Sequence, residues 1–370
     1  MNEVTFINQT TKFNGNIYFF YAFDIAEEID LEKIRKKRLV NTKDFASSPY
    51  FKNYHIPLFF DVDSLESKSK SGEDFIKYDT TCISSKLHQF GVVSFYYKIP
   101  FNDTLDDLKS KLIDIKKDYD FKAEAEARKT FERVTSALKR PRFSNLDSFY
   151  FAIQVDPVKG ELSPEEFKNM FGGKIASLLR LETLRLSEYQ EKEILSATTG
   201  YSGLDMIIID SEGAFIYDAE YFDSLEFFEF TNIQQLELQY FDRLLDEKLN
   251  YFYTQQSFDI PWTAYIPFMG QRFSLPVSVL AQLRVDISVI TERLENSIKM
   301  EAEAYFLRVY SMLREKMGLS GWRTSIARKL EIVHDIYSVY QDRLDVIHEE
   351  ILTTVIIILI AVELLMAFIR

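Results

Sequence analysis

Few residues in this chain stand at spacings that could do chemistry, and the sharpest candidate is the Glu-x-x-His pair Glu331 and His334. Di-iron bundles ligate metal with that spacing, but they need a second such pair and two further inward glutamates. No second pair occurs here, so the two residues read as a solvated helix face. His334 and His348 lie two heptads apart on one face, a spacing that would suit a pH sensor but reads as chance placement. His55 and His88 are isolated. Glu220, Asp223, Glu226 and Glu229 recur every third residue at the start of an expected helix, where carboxylates complement the helix dipole, and are read as capping and solubility residues. Cys82, the single cysteine, stands in a strand-like run without a neighbouring base and reads as a small buried hydrophobe. No phosphate-binding glycine loop, dinucleotide fingerprint or nucleophile elbow is present. The expectation is a protein that is not an enzyme, with no catalytic residue, no cofactor and no bound metal.

One further ionisable residue, Glu363, lies inside the apolar run ILTTVIIILIAVELLMAFIR, residues 351–370. From Ile351 to Ile369 a helix would be about 28 Å long, close to the hydrocarbon thickness of a bilayer. Ile351, Val355, Ile356, Ile357, Ile358, Leu359, Ile360, Leu364, Leu365, Phe368 and Ile369 form its apolar surface, and predict a transmembrane tail anchor in a lipid bilayer. A carboxylate in lipid is costly. Glu363 should therefore be neutral, reach toward the nearby end, or be buried against another helix. The opening MNEVTFINQT lacks the basic and apolar regions of a signal peptide. The expected arrangement is single-pass, with the bulk of the chain cytoplasmic and a bacterial inner membrane as the first choice.

Upstream of the anchor, Leu330, Val333, Tyr337, Tyr340, Leu344 and Ile347 alternate by three and four, the spacing of a coiled-coil seam. Neither Pro nor Gly interrupts residues 322–370, which predicts one helix running from water into lipid. A second stripe, Leu280, Leu283, Ile287, Ile290 and Leu294, resumes with an offset at Ile298, Tyr305, Val309 and Met312. With GLSG at 318–321 as the break, residues 274–350 read as an antiparallel helical hairpin, although two helices of an ordinary bundle would carry the same stripes. The linker 257–273, with Trp262, Tyr265, Phe268 and Phe273, marks the boundary and would suit a membrane interface.

Residues 1–256 mix β-branched and aromatic runs (16–25, 54–62, 75–83, 90–99, 147–155, 205–210, 214–219) with helix-forming stretches at 103–140 and 222–256. The order is irregular, so the fold class is α+β: a mixed amino-terminal domain, then the hairpin, then residues 351–369 as the anchor. Thirty-two Phe and 21 Tyr supply a core. The net charge of −13, with no basic block, argues against nucleic acid as a partner. A single cysteine suits a reducing compartment.

EFFEFTNIQQLELQYFDRLLDEKL (226–249), VITERLENSIKMEAEAYFLRVYSM (289–312), WRTSIARKLEIVHDIYSVYQDRLD (322–345) and IIILIAVELLMAF (356–368) resemble the required-for-meiotic-nuclear-division family, in its bacterial membrane-anchored branch. YAFDIAEEIDL (21–31) resembles that family's opening strand. The resemblance implies one carboxy-terminal anchor, a glutamate within it, and homo-oligomers, and it carries over no catalytic residue. Two functions follow as expectations. The first is a membrane-anchored scaffold that associates with itself or recruits a protein partner. The second is a membrane-tethered enzyme or ligand-binding domain with its site in residues 1–256.

Overall fold

The computed structural model describes the chain apart from residues 1–9, 44–49, 51–56, 63–80, 145, 158–161, 183–185, 255–281, 283, 286, 290–291, 293–302 and 370. The fold is mixed α+β and divides into two compact units: residues 1–237 with 296–320, and residues 238–295 with 321–370.

The first unit is built on a nine-stranded sheet whose central strand is β1 (Phe13–Asp24). β1 pairs antiparallel with β6 (Val92–Asp103) on one side and β8 (Asp147–Val155) on the other. Outward from β6 follow β5 (Thr81–Leu87), β4 (Leu58–Asp61) and β3 (Asn41–Lys43). Beyond β8 lie β11 (Gly213–Tyr217), which is parallel to it, then β10 (Met206–Ile209) and β9 (Thr198–Thr199). A short ribbon of β2 (Glu28–Ile29) and β7 (Leu138–Lys139) stands apart from this sheet. From Ile17 onward every residue of β1 is buried, which is why its sequence is a continuous aromatic and apolar run rather than an alternation.

One sheet face is covered by α2 (Leu105–Val134), α3 (Pro164–Leu179) and α4 (Glu188–Ser196). α2 starts where Thr104 accepts from the Asp107 amide, and it buries Leu105, Leu108, Leu112, Ile115 and Tyr119 at helical spacing. α3 opens with a capping box between Ser163 and Glu166, with Pro164 in its first turn. The same SPEE signature was legible in the sequence, yet α3, α4 and the short α1 (Leu31–Lys37) were not among the expected elements. The expected 103–140 and 222–256 helices appear as α2 and as α5 (Phe222–Thr254), and the strand expectations at 16–25, 90–99, 147–155, 205–210 and 214–219 match β1, β6, β8, β10 and β11.

The opposite face receives α5, and α6 (Ala304–Lys316) lies against α5 through Phe227 and Phe306, 5.5 Å apart and nearly parallel. α6 ends at Met317–Gly318, where Gly318 takes φ +71° and the chain turns into α7 (Leu319–Ile369). The expected break at 318–321 therefore uses only its first glycine, and α7 is continuous for 51 residues.

In the second unit, Lys329 Nζ on α7 lies 2.7 Å from both Asp242 and Asp246 on α5, and Ser325 Oγ donates to Asp242 at 2.6 Å. Position rises together on both helices, so these segments run parallel. Of the first limb of the expected hairpin, Gln282, Arg284, Val285, Ile287, Ser288, Val289 and Glu292 are described and helical, and Ile287 is buried. The linker 257–273 and the stripe residues Leu280, Leu283, Ile290, Leu294 and Ile298 lie outside the described residues.

Candidate membrane helix and a buried polar layer

The end of α7, Asp345–Ile369, is long and apolar enough to cross a bilayer, and none of its most apolar stretch is buried. Val355, Ile356, Ile357, Ile358, Leu359, Ile360, Glu363, Leu364, Leu365, Phe368 and Ile369 are all exposed, and Ile351 is half-buried. By length and composition this segment is a candidate membrane span.

The seam upstream behaves otherwise. Val333 is 1% exposed and Ile347 5%, covered within the single chain, while Leu330 and Tyr337 are half-buried. Ile326, one heptad before Val333, is buried as well. The side chains of Tyr340, Leu344 and His348 lie outside the described residues. Glu331 and His334 are both exposed on α7. Arg284 Nη1 lies 2.8 Å from His334 Nδ1, and because a guanidinium only donates, that nitrogen accepts and has no lone pair left for a metal. Among the described residues no group of three or more His, Cys, Asp or Glu could hold a metal ion. His55 lies outside the described residues.

The densest chemistry is where sequence reasoning placed a solvated helix start. Even-numbered positions of β1 and β6 point toward α5, and through the pairing register so do Lys86 and Ser94 on adjacent strands. Glu229, expected as a surface carboxylate, is 4% exposed. Its Oε2 lies 2.5 Å from Lys86 Nζ, and its Oε1 accepts from Ser94 Oγ at 2.9 Å. His88 Nε2 stands 3.1 Å from the same Ser94 oxygen. The β5–β6 turn holds His88 there. Gly91, at φ +104°, brings its carbonyl to the amides of Ile25 and Ala26, where any Cβ would lie 1.8 Å from the Ala26 oxygen. Asp223 is exposed and accepts from Tyr50 at 2.8 Å, and Glu220 is exposed, so the solvated reading suits part of the acidic series only.

Ser, His and Glu are the parts of a nucleophilic triad, but the order is wrong for one. A catalytic serine gives its proton to the histidine, which the acid orients. Here Ser94 gives its proton to Glu229, so His88 must donate to Ser94 and cannot act as its base. Ser94 is also 1% exposed. The trio is a structural clamp.

Further along α5, Asn232 donates to the carbonyls of Phe20 and Ser148 at 3.2 Å, and accepts from Ser148 Oγ at 2.8 Å. Near Glu237, Asp24 accepts from Arg142 Nη2 at 3.0 and 3.1 Å. Burial nevertheless raises the Asp24 carboxyl, against the opposing pull of Arg142. Glu237 is fully buried; desolvation, then the charge of Asp24, push it well above the usual carboxylate range. Both carboxyls are thus pushed toward their neutral forms, with the Arg142 guanidinium opposing the shift. On the other face Tyr97 donates to Glu126, whose carboxyl is raised by burial. Cys82 lies nearby, and burial first, then Glu126, push its thiol up to about 12. Cys82 is half-buried, packed at the edge of the core, where the sequence predicted a fully buried residue.

Residues 14–223, from β1 to the start of α5, match the family model described as the N-terminal domain of Uncharacterized protein MJ0711. The chain belongs to this family. Uncharacterized protein MJ0711 of Methanocaldococcus jannaschii is 24% identical over 239 residues, which is 64% of this chain and 71% of that protein. No solved structure matches. The family match covers the sheet and α1 to α4, with the residues of the β5–β6 turn, whereas Glu229 and Glu237 lie beyond it. Of the stretches read as resembling the required-for-meiotic-nuclear-division family, residues 21–31 lie inside this match and the four carboxy-terminal ones begin after residue 223, so the family shown over the sheet is that of MJ0711.

Proposed function

We propose that this MJ0711-family chain is a single-pass membrane protein, held by residues 351–369, whose sheet unit serves as a non-catalytic recruiting module on the cytoplasmic side of a bacterial inner membrane. The observation that carries the reading is the bare apolar helix Asp345–Ile369, which water would leave with no partner for its surface. The absence of a catalytic role draws support from Ser94, His88 and Glu229, the best-placed reactive trio, being locked in the wrong order. The carboxy-terminal resemblance to the meiotic-nuclear-division family supports the same anchor. Self-association belongs to the reading through the span, where Glu363 is exposed on the helix and a second copy would shield it from lipid. The seam itself offers less, since Val333 and Ile347 are covered by their own chain.

Expression of the full chain and of a version truncated after Glu350, followed by alkaline carbonate washing, tests the anchor. The full chain should stay with the membranes and the truncated one should leave them. Carbonate release of the full chain would overturn the reading, and retention of the truncated chain would move the anchor elsewhere.

A further inference from the structure

The net charge of −13 conceals one local exception, KIRKKR at residues 33–38, with five cations in six residues. The segment forms most of α1 and its carboxy-terminal cap. Ile34 is buried, and Leu31 and Leu39 pack against the core at either end, so the helix is pinned by its apolar side. Arg35, Lys36, Lys37 and Arg38 are all exposed, and Lys33 is half-buried. Arg38 caps the helix at φ 51°, in the left-handed region where glycine is the ordinary choice. A cation therefore stands where a residue without a side chain would fit with less strain.

The charges on this face do not balance. Arg35 and Lys36 share Glu32 at 4.0 and 3.9 Å, loose and exposed contacts that salt screens. Asp30 is used as the helix cap, where it accepts from the Lys33 amide. Lys33, Lys37 and Arg38 have no acidic side-chain partner among the described residues. The neighbouring β2–β7 ribbon is balanced, since Lys139 faces Glu28 at 3.3 Å and Arg140 faces Glu27 at 2.9 Å. Beyond the helix, Lys43 pairs with Asp61. Five cations thus stand against the two carboxylates of α1 and its cap. Basic residues in a last turn complement the helix dipole, but the charge at that end is only about half a unit, far less than this excess.

We propose that the basic face of α1 docks on anionic lipid headgroups of the bilayer that holds the anchor, with Arg35, Lys36, Lys37 and Arg38 meeting the phosphates. This docking rests on the anchored reading of α7. Exposed Lys and Arg are drawn to the negative surface of a cytoplasmic leaflet. Basic runs of this length also occur in nucleic-acid-binding proteins. The rest of the chain is acidic, however, and repels any polyanion that must be gathered from solution. A bilayer holding the same chain is already present at high effective concentration. No aromatic residue is interleaved with the cations to stack on bases, so lipid is the better fit.

The full chain, reconstituted in nanodiscs of phosphatidylcholine alone or with added phosphatidylglycerol, tests the docking through lysine acetylation read by mass spectrometry. Lys33, Lys36 and Lys37 should react about threefold more slowly, or slower still, beside the anionic lipid. Lys117, exposed on α2, should not change. Added salt should remove the difference. Lys36→Gln combined with Lys37→Gln should abolish the protection of Lys33 at an unchanged melting temperature. Equal reactivity in the two lipids, or Lys33 protection unaltered in the double variant, would overturn the docking and leave the anchor standing. Failure of the chain to enter the nanodiscs would overturn the anchor, and the docking with it. Protection of these lysines by duplex RNA in neutral nanodiscs, and not by anionic lipid, would assign the face to nucleic acid and overturn the proposal. If the double variant fails to fold, the comparison of the two lipids on the unaltered chain decides.

Discussion

The two faces of the central sheet are made from alternate residues of the same strands, yet they are held by different forces. Facing α2 and α3, the odd positions of β1 contribute Phe13, Ile17, Phe19, Tyr21 and Phe23 to one continuous apolar cluster. Facing α5, the even positions contribute Tyr18, Phe20, Ala22 and Asp24, and the layer is threaded by the Lys86–Glu229 pair, the Asn232 contacts and the Asp24–Arg142–Glu237 cluster. Apolar packing is tolerant of detail and large in total, whereas a buried polar layer stabilises only while every partner is present. The first face should therefore respond to lost volume, and the second to lost partners and to pH.

The largest effect is expected on the apolar face. Phe19 is fully buried and meets the rings of Phe149 at 5.3 Å and Tyr119 at 5.6 Å. Phe19→Ala should cost about 4 kcal/mol through lost transfer energy and a cavity, read as a fall in denaturant midpoint. A cost below about 1 kcal/mol would mean that the face is not close-packed.

On the polar face, Glu229→Ala strands Lys86 and Ser94 in the interior and should cost about 3 kcal/mol. Replacing both partners, with Lys86→Met and Glu229→Met together, should restore most of that loss, because no charge is then left unpaired. If the double variant is as unstable as the single one, packing and not pairing governs this face. The comparison would then lose its second half.

The smallest effect is the most diagnostic. Glu237 has its carboxyl raised in the folded state, so between the ordinary carboxylate value of 4.5 and its raised value the folded chain binds the extra proton. Stability contributed by that proton is present at low pH and falls as pH rises through this window. Glu237→Gln should flatten the alkaline side of the stability–pH curve and add on the order of 1 kcal/mol near pH 8. Asp24 and Glu126 are raised by burial as well and act with the same sign, so some slope should persist. A curve identical to that of the unaltered chain would show that Glu237 is ionised in the fold.

The strands of β1, β6 and β8 could be read from the chain because aromatic and β-branched runs bounded by turn residues are a local signal, and α2 and α5 because their apolar spacing persists over many turns. α3 carried an equally local signal in Ser163, Pro164 and Glu166, but a single capping box between loops is easily passed over when apolar periodicity is the main guide. The pairing of Asp24 with Arg142 had no signature at all, because 118 residues of chain separate them and only folding brings them together.

The chain by itself determined the apolar helix at 351–369, since length and composition within one segment decide whether it can cross a bilayer. It also determined that no phosphate loop or nucleophile elbow exists, because those motifs are contiguous. Tertiary structure alone decided the fate of the charges. Glu229 belongs to an acidic series that any helix start could display in water, and it is buried because Lys86, 143 residues earlier, meets it across the sheet. Val333 and Ile347 were apolar in any reading, but whether another chain or their own covers them depends on which helices pack together. Local composition sets what a segment can tolerate, and the energy of a charge or an exposed face is set by its neighbours, which sequence order does not specify.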